Sequence, residues 1–195
     1  MKRLPLLLTL FLMISAGSAL GKDSVWALTR AKMTGSQGYT LNYSYEGPEG
    51  KFLFQYTVQG EGSKILTEVL EGSARGSGTR IYYEPAKDKE NVFMETAIVP
   101  LRRSLEARDI KDSSLYQPLF AQIVSELPAQ EPAEVLPFGE GYILVFGAKN
   151  AVQARVTVDA QGNPLSYRRL EQGKEVKKFN FTNLDWGFHP IDWKN

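Results

Sequence analysis

Residues 156–187 read "VTVDAQGNPLSYRRLEQGKEVKKFNFTNLDWG". Apolar and polar residues alternate through this stretch, and two short clusters interrupt them: Asp159-Ala160-Gln161-Gly162-Asn163 and Gln172-Gly173-Lys174. Asp, Asn and Gly supply the side-chain hydrogen bonds and left-handed backbone that tight turns need. The pattern therefore predicts consecutive antiparallel strands, "VQARVTVD", "PLSYRRLEQ" and "EVKKFNFTNL", with "GYILVFGA" preceding them. The stretch holds no cysteine, no histidine and no nucleophile motif, so it reads as a wall rather than a reaction site.

Working outward, the N-terminal half repeats the alternation. In "GYTLNYSYEG", Tyr39, Leu41, Tyr43 and Tyr45 fall on one face and Thr40, Asn42 and Ser44 on the other. After a Gly-Pro-Glu-Gly turn, "KFLFQYTVQG" puts Phe52, Phe54, Tyr56 and Val58 on one face, which predicts a hairpin. "KILTEVLE", "TRIYYEP" and "NVFMETAIV" follow as further strands, and "EGSARGSG" reads as a loop.

Two segments have helical spacing. "DSVWALTRAKMTG" opens on Asp23 or Ser24 as a cap and stops at Gly35. "SSLYQPLFAQIVSEL" repeats Leu115, Leu119, Ile123 and Leu127 every four residues, flanked by Phe120 and Val124, with Asp112, Ser113 and Ser114 as caps and Pro118 in or near the first turn. The chain thus reads as α+β, mainly antiparallel β, with about nine strands and two helices. Two modest helices cover only part of nine strands, which leaves an apolar face as a groove for apolar ligands. Ordinary core is the competing reading of the same aromatics.

The N-terminus, "MKRLPLLLTLFLMISAGSALG", joins basic Lys2 and Arg3 to an apolar run and then small residues, the layout of a secretory signal peptide. The run is shorter than the ~20 residues a spanning helix needs, which disfavours a retained anchor. Cleavage after Gly21 is preferred over cleavage after Ala19, leaving one domain, residues 22–195, outside the inner membrane. With no cysteine, that domain has no acceptor for a lipid anchor and forms its core without disulfides. The formal charge of the whole chain is +1, with acids and bases interspersed, so nothing points to nucleic acid. The sequons Asn42-Tyr43-Ser44 and Asn180-Phe181-Thr182 fall inside predicted strands and read as chance.

Enzyme signatures do not emerge. His189, in a C-terminal "GFHPIDWKN", is the single histidine, and a zinc site there would need carboxylates for its other ligands. There is no Gly-x-Ser-x-Gly elbow and no phosphate loop. Acids sit mostly in turns and on solvent faces, so a glycosidase-type carboxylate pair is the weaker reading. The basic pairs Arg102-Arg103, Arg168-Arg169 and Lys177-Lys178 read as solvated faces, or alternatively as a surface for an acidic partner or anionic headgroups. No metal and no cofactor is expected.

The order of signal, helix, aromatic hairpin, "SGTRIYYEP", a mid-chain helix and the closing "VDAQGNPLSYRRLEQGKEVKKFNFTNL" resembles the LolA-like superfamily. That group takes in periplasmic outer-membrane lipoprotein-sorting proteins and the N-terminal domain of the RseB sensor. Asp159, Gly162, Pro164, Leu165, Gly173, Phe179, Phe181 and Thr182 carry the most specific part; "NVFMETAIVPLRRSLEARDI" adds a strand leading to a proline and a basic stretch. The resemblance implies a strongly curved, unclosed half-barrel sheet with helices covering its concave face. It implies a soluble periplasmic carrier of lipoprotein acyl chains or other lipids, and not an enzyme. Tyr39, Leu41, Tyr43, Phe52, Phe54 and Tyr56 would line the groove; Leu115, Leu119, Phe120 and Ile123 would form a lid.

An inner-membrane transporter or outer-membrane receptor would be its protein partner. An RseB-like sensor of lipidic or lipoprotein ligands is the alternative, although no second C-terminal domain is expected here. The carrier family ties its lid with an arginine on an early strand. The corresponding "KFLFQYTVQGEGSKI" has none, so no lid-locking residue is carried over.

Overall fold

The computed structural model describes residues 22–35, 37–47, 50–72, 76–97, 101–109 and 115–193. The predicted signal segment and the caps Asp112, Ser113 and Ser114 lie outside these residues.

Among the described residues the chain forms two α-helices, α1 (Lys22–Thr34) and α2 (Leu119–Ser125). Eleven strands accompany them: β1 (Tyr39–Gly47), β2 (Gly50–Gln59), β3 (Lys64–Glu71), β4 (Arg80–Tyr83), β5 (Asn91–Glu95) and β6 (Arg102–Glu106) in the first half. The second half supplies β7 (Glu134–Phe138), β8 (Gly141–Gly147), β9 (Val152–Val158), β10 (Pro164–Glu171) and β11 (Lys174–Trp186). All pairings are antiparallel, in the order β6-β5-β4-β3-β2-β1-β11-β10-β9-β8-β7. Each half is a meander, and the two halves join where β1 meets the last strand. β6 and β7 remain as edges, so the curled sheet is unclosed, an α+β half-barrel as the resemblance implied.

Two strands exceed the nine expected. "NVFMETAIV" forms strand only as far as Glu95, and Arg102–Glu106 makes a separate strand. Every residue of β6 is exposed, so it carries no inside–outside alternation to read. β7 arises in the Pro-rich segment and contains Pro137, which a sheet tolerates at an edge. The second helix is shorter than its apolar spacing suggested. Pro118 occupies its N-cap with ψ 123°, so the helix begins after the proline and Leu115 lies outside it.

Period-two burial sets the inner face. Ile65, Thr67 and Val69 of β3, and Ala154, Val156 and Val158 of β9, are buried. Outward-facing polar residues pair across the central strands: Asn42 lies opposite Thr182, and Asn180 donates to Ser44 Oγ at 3.2 Å. Both sequons therefore belong to one polar ladder.

The turn Asp159–Asn163 fixes α1. Asp159 Oδ1 accepts from the amides of Gln161 and Asn163 at 2.9 and 2.8 Å, which closes the turn. Lys32 at the helix end then donates to Gln161 O at 2.8 Å and Asn163 Oδ1 at 2.7 Å. Val25, Trp26, Thr29 and Met33 share the buried face of α1, with the Trp26 ring 4.9 Å from Phe146 of β8.

Candidate functional site

Register brings the six predicted lining residues together. Across β1–β2, Leu41 faces Tyr56, Tyr43 faces Phe54 and Tyr45 faces Phe52; Tyr39 faces Val58. On the other side of β1, Tyr43 and Tyr45 face Phe181 and Phe179 of β11. One antiparallel register thus places aromatic side chains from three strands on a single face. Tyr43 and Phe54 stack at 4.8 Å, Phe52 and Phe54 at 5.9 Å, and Tyr45 lies 5.5 Å from Phe179.

Burial divides this floor. Tyr39, Leu41, Tyr43 and Tyr56 are buried, whereas Phe52, Phe54 and Tyr45 toward the hairpin tip are half-buried. Helix α2 lies over the buried part. Leu119, Phe120 and Ile123 are all 0–1% exposed, and the Phe120 ring sits 4.7 Å from Tyr39, 5.2 Å from Phe181 and 5.5 Å from Trp186. Leu115, expected beside them, is half-buried outside the helix.

The helix is tied to the sheet at both ends. A helix leaves its first amides without intrahelical partners, and α2 has no side-chain cap because its N-cap is a proline. The sheet supplies the missing acceptors. Tyr56 Oη accepts from the Leu119 amide and Tyr39 Oη from the Phe120 amide, both at 3.2 Å, while Tyr56 donates to Gln117 O at 3.0 Å. Burial pushes the Tyr39 hydroxyl well above its ordinary pKa, and the Phe120 and Leu119 amides pull against that shift.

At the other end, Arg169 Nη1 donates to the Glu126 carbonyl at 3.3 Å, and Lys177 Nζ lies 3.2 Å from both Glu126 carboxylate oxygens. The approach at the N-terminal end is close. A Cβ on Gly62, at φ +82°, would stand 2.8 Å from Pro118 Cγ.

A cleft of about 200 Å³ opens beside this end, with Met33, Tyr39, Val58, Pro118 and Ala121 in its walls. Small-molecule sites usually enclose ~300–1,000 Å³. In this arrangement helix α2 itself fills the inner face over β1, β2 and β11.

Among the described residues no His/Cys/Asp/Glu group could hold a metal, and no helix is long and apolar enough to cross a membrane. His189 Nε2 sits 3.2 Å from the Asp185 carbonyl, and its own carbonyl accepts from Gln59 Nε2 at 2.7 Å.

No family model and no curated protein matches the sequence. Solved structures do. An uncharacterized conserved protein from Thermus thermophilus superposes with a TM-score of 0.55 and 10% identity, over 86% of this chain and 88% of that one. A LolA superfamily protein from Nitrosomonas europaea gives 0.42 and 9%, over 87% and 94%. MucB of Pseudomonas aeruginosa, solved in complex with MucA, gives 0.47 and 13%, covering 88% of this chain and 59% of that chain.

The chain shares its fold with the Thermus thermophilus protein.

At these identities the likeness is one of fold. The unclosed antiparallel sheet accounts for most of the sequence reading, but not for how its covering helix is held. The tyrosine hydroxyls that cap α2 were legible only as aromatic bulk. Phe179, Phe181 and Trp186 complete the floor from β11; alternation in "KKFNF" signalled the two phenylalanines, whereas Trp186 joins them only through the register shift near Asn183, whose φ is +53°. Arg169 and Lys177 stood inside basic pairs, each of which the strand alternation splits between faces. Arg168 and Lys178 turn outward to Glu175 and Glu46, at 3.8 and 3.5 Å, while Arg169 and Lys177 turn inward to α2.

Proposed function

We propose that this protein is a periplasmic, non-enzymatic carrier that shields the acyl chains of lipoproteins or other lipids on its inner face. The mature unit would be residues 22–195 after removal of the signal segment, and it would pass cargo between membrane proteins of the envelope. The observation that carries the reading is the covering of a broad aromatic floor by a seven-residue helix held at its ends by polar bonds to sheet residues.

Magnitudes favour exchange of that helix for an acyl chain. Burying a methylene contributes ~0.8 kcal/mol, so a sixteen-carbon chain gains on the order of 12 kcal/mol. Lifting Leu119, Phe120 and Ile123 off the floor costs roughly 5–9 kcal/mol at ~1.5–3 kcal/mol each. Each ordinary hydrogen bond lost adds ~1 kcal/mol. The two sides are close enough for loading and release to respond to a partner.

Phe54 offers the most direct test, because it is half-buried and on the floor beyond α2. Uptake of a fluorescent fatty-acyl probe by the wild type, and its loss in Phe54→Lys with the melting profile retained, is the expected outcome. Equal uptake by the two proteins would remove this face from consideration as the site.

A further inference from the structure

Arg169 and Lys177 are directly opposite one another in the β10–β11 ladder, and both turn toward α2. Like charges in that position repel and destabilise a sheet unless an anion lies between them. Here the anion belongs to the covering helix. Glu126 gives Lys177 both carboxylate oxygens and gives Arg169 its carbonyl, while Gln122 Nε2 donates to Glu126 Oε1 at 2.9 Å. Glu171 at 3.0 Å takes only the Nε side of Arg169.

The wall beside these cations has an unused donor. Tyr167 is fully buried, its ring lies 6.1 Å from Phe179, and its hydroxyl, beside the Arg169 guanidinium, donates to no acceptor among the described residues. Burial, and then the nearby Glu126 carboxylate, push its pKa up to about 12 against the pull of Arg169, so it holds its proton at neutral pH. Gln122 Oε1 is likewise buried without a partner. Lys177 Nζ stands 5.3 Å from the Phe179 ring, which joins the charged patch to the aromatic floor.

We propose that Arg169, Lys177 and Tyr167 form a carboxylate subsite at the end of the acyl groove, occupied in the closed state by Glu126 and in the loaded state by the head of a fatty-acid-type ligand. This rests on the carrier reading above and narrows its cargo to acyl chains ending in a carboxylate. When α2 leaves the floor it takes Glu126 with it. Lys177 and the Nη side of Arg169 then lose their partner beside the Tyr167 hydroxyl, while Glu171 keeps the Nε side, and leaving such groups unpaired is costly. A carboxylate of the same size as the departing one restores the pairing, and the acyl chain replaces the apolar side chains of α2.

The test compares three ligands of one chain length on the mature protein: dodecanoate, 1-dodecanol and dodecylamine, each displacing a fluorescent apolar probe. Dodecanoate should bind at least about tenfold tighter than dodecanol, the scale of one charge-assisted hydrogen bond. Dodecylamine should bind weakest. In the Arg169→Gln/Lys177→Gln double variant the ratio of dodecanoate to dodecanol affinity should fall to about unity.

Equal binding of dodecanoate and dodecanol by the wild type would overturn the subsite while leaving the acyl groove standing. So would a dodecanoate preference that survives in the double variant. Failure of all three ligands would overturn the groove and the subsite together. The wild-type comparison needs no variant to fold.

Discussion

The first amides of α2 emerge from a proline, which offers no side-chain oxygen, and two tyrosines of the sheet accept them instead. Removing one such acceptor strands a buried donor, which costs ~1–3 kcal/mol. Tyr39→Phe should therefore lower stability by about that amount in urea unfolding, and speed hydrogen exchange at the Phe120 amide. An unchanged amide would mean that Tyr39 contributes packing alone. Glu84 carries a different residue-scale consequence. Burial alone would raise its pKa, but hydrogen bonds from Tyr82 and Lys87, with the Lys64 charge, hold it below the ordinary carboxylate value. A depressed folded pKa contributes stability that is present above the unfolded value of ~4.3 and is lost as pH falls through the folded one. The urea midpoint should therefore drop on acidification below about pH 4.3, and Glu84→Gln should flatten that drop. A variant with the same acid profile as the wild type would remove Glu84 from the account.

At the level of elements, legibility followed alternation. β1 and β2 announced themselves through the alternation of Tyr39, Leu41, Tyr43 and of Phe52, Phe54, Tyr56, whose side is buried except for the half-buried Phe52 and Phe54. β6 has both sides exposed, and β7 is an edge strand containing a proline, so neither displays the pattern that reveals a half-buried strand. Helix α2 failed in a different way. The four-residue spacing from Leu115 to Leu127 extends past both helix ends, but Pro118 confines the residue before it to extended backbone and starts the helix at Leu119. What the sequence could not disclose was the pairing of sheet side chains with the helix ends. The contacts of Tyr39 with Phe120 and of Arg169 with Glu126 span 81 and 43 residues, and only the folded register creates them.

At the scale of the molecule, the described residues form an open sheet of eleven strands, and two helices pack against its inner face. Helix α1 is anchored by the Asp159–Asn163 turn through Lys32 and by Trp26 Nε1 donating to Gln130 O at 2.9 Å. Helix α2 has seven residues, fewer than an isolated helix needs to be stable, so its order depends on the sheet beneath it. On the proposed carrier reading, that asymmetry makes α2 the element that yields and α1 the element that stays. Hydrogen exchange of the mature protein with and without saturating dodecanoate measures this most directly, read at the Leu119 and Phe120 amides. Exchange that accelerates on loading at those two amides, while the α1 amides remain protected, is the predicted result. Ligand binding that leaves the Leu119 and Phe120 amides as protected as in the free protein would contradict the account, because the acyl chain would then lie somewhere other than beneath α2.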